Sequence, residues 1–179
     1  MEKVYKFFRD NYFYFFIYAF LGWIYEELWY LIVENKIVNR GFLYGPYLPI
    51  YGFGALLLLL LLHKQIGKKI KLFGISITPI LIFIIIFIIT TLVEYIAHYI
   101  LDEYFNIILW DYSKDFLNIN GRVCLAASRN FAIGGTTCFY FVQPFLTKFF
   151  SKLKNSTKNI LFIILFLIVI VDFIITIIN

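Results

Sequence analysis

From residue 72 to residue 93 the chain carries no charged side chain, and few folds accommodate such a stretch. A run beyond about 18 apolar residues marks a bilayer-spanning helix, and several runs here pass that length. With 62% hydrophobic residues and a mean hydropathy of +0.84, against roughly 45–50% apolar content in soluble domains, the bilayer is the expected solvent. The pattern predicts an all-α, polytopic membrane helix bundle.

Hydropathy divides the chain into about five transmembrane helices, at 12–33, 47–63, 72–100, 122–147 and 159–178, within a single integral membrane domain over 1–179. Basic residues set the direction. Eleven (Lys3, Lys6, Arg9, Lys64, Lys68, Lys69, Lys71, Lys148, Lys152, Lys154 and Lys158) flank one side and four (Lys36, Arg40, Lys114 and Arg122) the other, which predicts the N-terminus inside and the C-terminus outside. The same clustering explains the net charge of +5 without a nucleic-acid partner. Cys124 and Cys138 fall in one predicted helix about 21 Å apart, too far for a disulfide. The basic N-terminus resembles a signal peptide, but its apolar run is too long and holds Glu26 and Glu27, so it reads as a retained first helix. The abundance of Ile, Lys, Asn, Phe and Tyr also follows from AT-rich codons, pointing to a low-GC bacterium and its inner or plasma membrane.

Two polar stretches interrupt the apolar chain, "NRGFLYGPYLPIYG" at 39–52 and "WDYSKDFLNINGR" at 110–122, and this topology puts both outside. Gly45, Pro46, Pro49 and Gly52 disfavour regular helix. Irregular backbone at membrane depth survives only when buried in protein or lining a watery cavity. About fifteen apolar residues follow Pro49, short for a full span, so a broken helix entry is expected, with Arg40, Tyr44, Tyr47 and Tyr51 facing a cavity or the interface.

A charge at a helix centre costs about 2.5–3.5 kcal/mol on insertion scales, so such residues find partners or mark a site. Ala19, Gly22 and Glu26 share one helical face, and Thr91, Glu94, His98 and Asp102 form a polar stripe at spacings of three and four. Arg122 and Arg129, seven apart, are expected on one face of the fourth span, before a small-residue surface through Ala126, Asn130, Gly134 and Cys138. Gln143-Pro144 should kink or end that helix. Two explanations stand: ion pairs of Glu26 and Glu94 with Arg122, Arg129 or Arg40 that hold helices in register, or a cluster that also contacts substrate. Asp172 reads as a headgroup contact. The E-x-x-x-H spacing of Glu94 and His98 matches neither zinc nor di-iron patterns, so no metal and no cofactor is expected.

Gly22-Trp23 with Glu26, Asn39-Arg40-Gly41-Phe42-Leu43, Gly45-Pro46, Pro49-Ile50-Tyr51-Gly52, Glu94-Tyr95, Trp110-Asp111-Tyr112-Ser113 and Asn118-Ile119-Asn120-Gly121-Arg122, in that order, resemble the CmpB-like family of type IV ABC-transporter permeases over about 15–135. Leu109 departs from that pattern, where a second tryptophan is usual. The resemblance implies a permease whose ATPase is a separate chain, since these residues hold no Walker A motif, and a homo-oligomer or larger complex, since five spans are few for an enclosed pathway.

The leading expectation is an outward-facing polar pocket lined or braced by Glu26, Arg40, Tyr51, Glu94, His98, Asp111, Arg122 and Arg129, with the arginines suited to an anionic group. The rival is a membrane enzyme acting on a lipid-linked substrate at the outer leaflet, with Glu94, His98 or Asp111 as acid or base. A scaffold subunit for other membrane proteins is the third class.

Overall fold

The computed structural model describes residues 1–36, 41–62, 70–73 and 75–178. The protein is all-α apart from one very short hairpin. In chain order the elements are α1 (Glu2–Glu34), α2 (Pro49–Leu62), β1 (Lys71–Leu72), β2 (Ile75–Ser76), α3 (Thr78–Phe105), α4 (Leu125–Thr137), a π-helical turn (Cys138–Val142), α5 (Gln143–Lys152) and α6 (Asn155–Ile178). Three of these helices, α1, α3 and α6, are long and apolar enough to cross a membrane, whereas α2 is a shorter apolar helix. At 1.5 Å per residue its 14 residues reach about 21 Å, less than the roughly 30 Å of hydrocarbon.

Several boundaries differ from those expected. α3 starts at Thr78 rather than at residue 72, because Pro79 suits a first helical turn and the preceding residues pair instead. There β1 and β2 are antiparallel, with Lys71 opposite Ser76 and Leu72 opposite Ile75. Ile70 N–H donates to the Thr78 hydroxyl at 2.8 Å, closing the hairpin onto the helix. α4 starts at Leu125, not at Arg122. Cys124 is its N-cap, with extended backbone and a thiol accepting from Ala127 N–H. Pro144 does not end the helical backbone. It lacks an N–H and crowds the carbonyl four residues back, and the π turn just before it absorbs that mismatch so that helix continues into α5.

The chain forms two compact units. In the first, residues 1–56 and 146–179, α1 lies alongside α6. Tyr5 meets Phe162 edge to face at 6.0 Å, and Tyr12 meets Phe166 at 5.6 Å. Arg9, buried beside Asp10, donates to Asn159 Oδ1 at 2.7 Å. The partners of α1 advance along α6 as α1 itself advances, so the two helices run parallel. α5 closes on α1 through stacked Phe13 and Phe150 rings at 4.3 Å.

α2 approaches α1 very closely. A Cβ placed on Gly22 would fall 2.5 Å from Tyr51 Cβ and 2.6 Å from its Cδ2, and one on Gly52 would fall 2.6 Å from the backbone oxygen of Phe15. Neither position has room for a methyl group. The second unit, residues 57–145, has its own core of Leu58, Leu62, Ile82, Ile86 and Phe139, in which Ile86 packs on Gly135 of α4.

Candidate functional site

Each unit carries its own polar constellation. In the second, α3 presents Glu94 and His98 one turn apart, both buried. The Thr91 hydroxyl donates to Phe87 C=O at 2.7 Å and is satisfied within its own helix.

The segment covering this face begins where α3 stops. Asn106 takes the left-handed conformation (φ 54°) and its N–H donates to Asp102 C=O at 3.1 Å, a left-handed helix ending with Asn in place of the usual Gly, while Ile107 N–H reaches Leu101 C=O at 2.9 Å. The chain then runs back so that Trp110 and Tyr112 meet α3 while the Asp111 carboxylate bonds Ser113. The Tyr112 hydroxyl donates to Glu94 Oε1 at 3.1 Å. His98 Nε2 lies 2.9 Å from the Trp110 carbonyl. A carbonyl only accepts, so Nε2 carries the hydrogen, and in the neutral ring Nδ1 is an acceptor. That Nδ1 is buried with no hydrogen-bond partner among the described residues. Trp110 stands edge-on to the imidazole at 5.4 Å, and its indole N–H donates to Arg122 C=O at 3.0 Å.

The far end of the loop is a tight turn. Asn120 (φ 54°) and Gly121 (φ 69°) both have positive φ, and Arg122 N–H returns to Ile119 C=O at 3.0 Å, the geometry of a type I′ turn. Asn120 donates to the Tyr95 hydroxyl at 2.9 Å. Arg122 pairs with Asp102 and Glu103, each at 3.1 Å, and lies over the Tyr99 ring at 4.8 Å. Its partners are therefore neither Glu26 nor Glu94, and as a loop residue it does not share a helical face with Arg129. Arg129 is exposed and bonds Asn130. Asp111 forms an Asx turn with Ser113, accepting its N–H at 2.8 Å and its hydroxyl at 3.1 Å. Those two bonds hold the Asp111 carboxyl below the usual carboxylate range.

In the first unit the Tyr51 hydroxyl donates to Glu26 Oε1. Arg40 lies outside the described residues. The irregular segment before α2 finds partners on both neighbouring helices. Leu48 N–H donates to Ala19 C=O, well inside α1, at 2.9 Å. Tyr44 N–H and Gly45 N–H donate to Asp172 Oδ1 and Oδ2 at 3.1 and 2.9 Å, and the Tyr47 hydroxyl also donates to Oδ2. Asp172 thus clasps this segment, a role in addition to the headgroup contact expected of it.

Sequence reasoning passes over Trp110 and Tyr112 as site residues. The available signal is the i, i+2 spacing of the two aromatics about Asp111.

The profile of the family described as "Putative ABC-transporter type IV", ABC_trans_CmpB, matches residues 13–177. No curated protein and no solved structure matches the chain. The matched span takes in both polar constellations and every helix except the first turns of α1 and the last residue of α6, and the protein belongs to this ABC-transporter type IV family.

Proposed function

We propose that the chain is the membrane-embedded, permease-like subunit of a bacterial transporter, and that the face of α3 bearing Glu94 and His98 is its polar contact with substrate. In this reading it is one integral domain that crosses the cell membrane five times, with the N-terminus in the cytoplasm and the α3 constellation toward the outside. The parallel course of α1 and α6 supports it, because parallel first and last spans require an odd number of crossings. The distribution of Lys and Arg supports the direction.

The observation that carries the proposal is the buried Nδ1 of His98. Burying an acceptor without a donor costs about 1–3 kcal/mol, so a donor brought to Nδ1 would be favoured. A hydroxyl or N–H of the substrate would complete it. Arg122 already faces two carboxylates, so the contact favours a neutral hydrogen-bonding group over an anion. Energy would come from a separate ATPase chain.

The test is mass spectrometry of what co-purifies with the tagged protein from native membranes in mild detergent, followed by the ATPase activity of the complex. A stoichiometric ATPase is expected, and His98→Gln, which keeps a donor for the Trp110 carbonyl, should lose substrate-stimulated turnover while the complex stays assembled. A purified protein with no ATPase that instead converts a retained lipid-linked compound would overturn the reading in favour of an outer-leaflet enzyme.

A further inference from the structure

Where Asp172 meets the irregular segment before α2, an open groove of about 830 Å³ runs along α6, lined on its apolar side by Leu167, Ile168, Val171 and Ile175 and closed at one end by Tyr44, Gly45, Tyr47 and Asp172. All of these residues belong to the first unit. None of the residues of α6 is buried, so the groove opens sideways to hydrocarbon. Its two ends differ in chemistry. From Leu167 to Ile175 the helix offers roughly 12 Å of aliphatic wall, whereas the polar end holds a carboxylate.

Among the described residues that carboxylate has only neutral partners. The groups it accepts from, Tyr44 N–H, Gly45 N–H and the Tyr47 hydroxyl, are all neutral, as is the Thr176 hydroxyl one turn further along α6, and no cation pairs with it among the described residues. Two of the segment's hydrogen bonds fall on Oδ2 and one on Oδ1, which leaves acceptor capacity on Oδ1. An ionised group inside a membrane segment requires a counter-charge or a proton. A ligand that fits both ends is an amphiphile with a cationic, hydrogen-bonding head and an aliphatic tail.

We propose that this groove is a binding site for one phospholipid with a primary-ammonium headgroup, its ammonium on Asp172 Oδ1 and one acyl chain along Leu167, Ile168 and Val171. A primary ammonium carries three donors, whereas a quaternary choline carries none, so the site distinguishes the two by hydrogen bonding and not by charge alone. The exposed Tyr44 hydroxyl supplies a donor for the phosphate. The site is independent of the α3 constellation and of whether the protein transports anything.

The test reconstitutes the full chain in nanodiscs of equal parts phosphatidylethanolamine, phosphatidylcholine and phosphatidylglycerol, extracts it gently, and reads the retained lipid by native mass spectrometry. Retention of phosphatidylethanolamine over phosphatidylcholine by about tenfold is expected, the size of one charge-assisted hydrogen bond. Asp172→Asn should bring that ratio close to one. Because Asp172 also holds the segment before α2, Ile168→Trp is the second variant. It fills the groove from a lipid-facing position and should abolish retention of the lipid without lowering the melting temperature. Equal retention of the two zwitterionic lipids by the wild-type protein, a preference that survives Asp172→Asn, or a preference that Ile168→Trp leaves intact would each overturn the proposal.

Discussion

Gly22→Ala is the sharpest test of how α1 and α2 fit together. The new methyl would sit 2.5 Å from Tyr51 Cβ and 2.6 Å from Cδ2, atoms near the root of the side chain that cannot swing away without moving α2 or turning the whole ring. Overpacking of this kind costs about 1–3 kcal/mol. If the ring turns, the Tyr51 hydroxyl leaves Glu26 and a hydrogen bond to a charged group is lost as well, about 1.5–3 kcal/mol. Against this, replacing Gly by Ala in a helix gains about 0.8–1 kcal/mol. The net is destabilisation of about 2 kcal/mol, or about 4–8 °C in Tm for a chain of this size. Gly54, on the same short helix as Tyr51, has nothing within 4 Å of the point where a Cβ would stand, so Gly54→Ala should leave Tm unchanged or raise it. Thermal unfolding in mild detergent, read by Trp emission beside the site at Trp23, gives both values. Combining Gly22→Ala with Tyr51→Phe should cost less than the sum of the two, since both disturb one contact. Equal Tm values for Gly22→Ala and Gly54→Ala would refute the close approach, whatever the sign of the shift.

The second unit offers a matching pair: Gly135→Ala would bring a methyl to 2.7 Å from Ile86 Cγ2, while Gly134 faces open space. Melting curves should show the first about 1–2 kcal/mol less stable and the second neutral or slightly better. Gly121→Ala forces a side chain into φ 69° and to 3.0 Å from Asp111 Oδ1, so the same melts should show a loss of about 1–2 kcal/mol. The carboxyl of Asp111 is depressed in the folded loop, so its stabilisation is complete above the unfolded pKa of about 3.9 and disappears as pH falls through the lower, folded value. Protection of residues 110–122 against hydrogen exchange should therefore fall as the pH drops from about 5 to about 3, and Asp111→Asn, which still accepts the Ser113 N–H, should remove that dependence.

Much of the architecture is legible in the residues. The four-residue spacing puts Glu94 and His98 on one face by helical geometry alone, and the prolines and glycines between Gly45 and Gly52 foretell a short, late-starting second helix. What sequence spacing does not supply is the start of α4. Its cap is Cys124, a residue outside the Ser, Thr, Asp and Asn set that marks N-caps, so the helical pattern extends back over a turn and assigns Arg122 to the wrong element. The hold of Asp172 on the segment before α2 is missed for a related reason. Its partners lie more than a hundred residues away, and no local pattern announces them. The aromatic content is equally ambiguous: codon bias accounts for Phe and Tyr in bulk, yet Tyr5, Tyr12, Phe162 and Phe166 interlock edge to face along α1 and α6.

Both units solve one physical problem in the same way, and that bears on which of their residues act on anything else. A membrane helix that carries an irregular segment beside it must satisfy the backbone of that segment. Here Asp172 accepts from the segment before α2, while His98 donates to a loop carbonyl and Glu94 accepts from a loop tyrosine. The cost of placing these groups in membrane helices is therefore offset, at least in part, by structure, and their charge or burial alone does not identify a binding site. The two proposals rest instead on the valences that the described bonds leave unused. Among the described residues, His98 Nδ1 keeps an acceptor with no donor and Asp172 accepts from neutral groups with no cation beside it, the first suited to a neutral donor and the second to a cation. If both were merely structural, replacing each with a residue that keeps the fold's own hydrogen bond would change nothing but stability. His98→Gln in the second unit, and Ile168→Trp beside an untouched Asp172 in the first, separate those cases because each removes the unused valence or its access while leaving the structural bond in place.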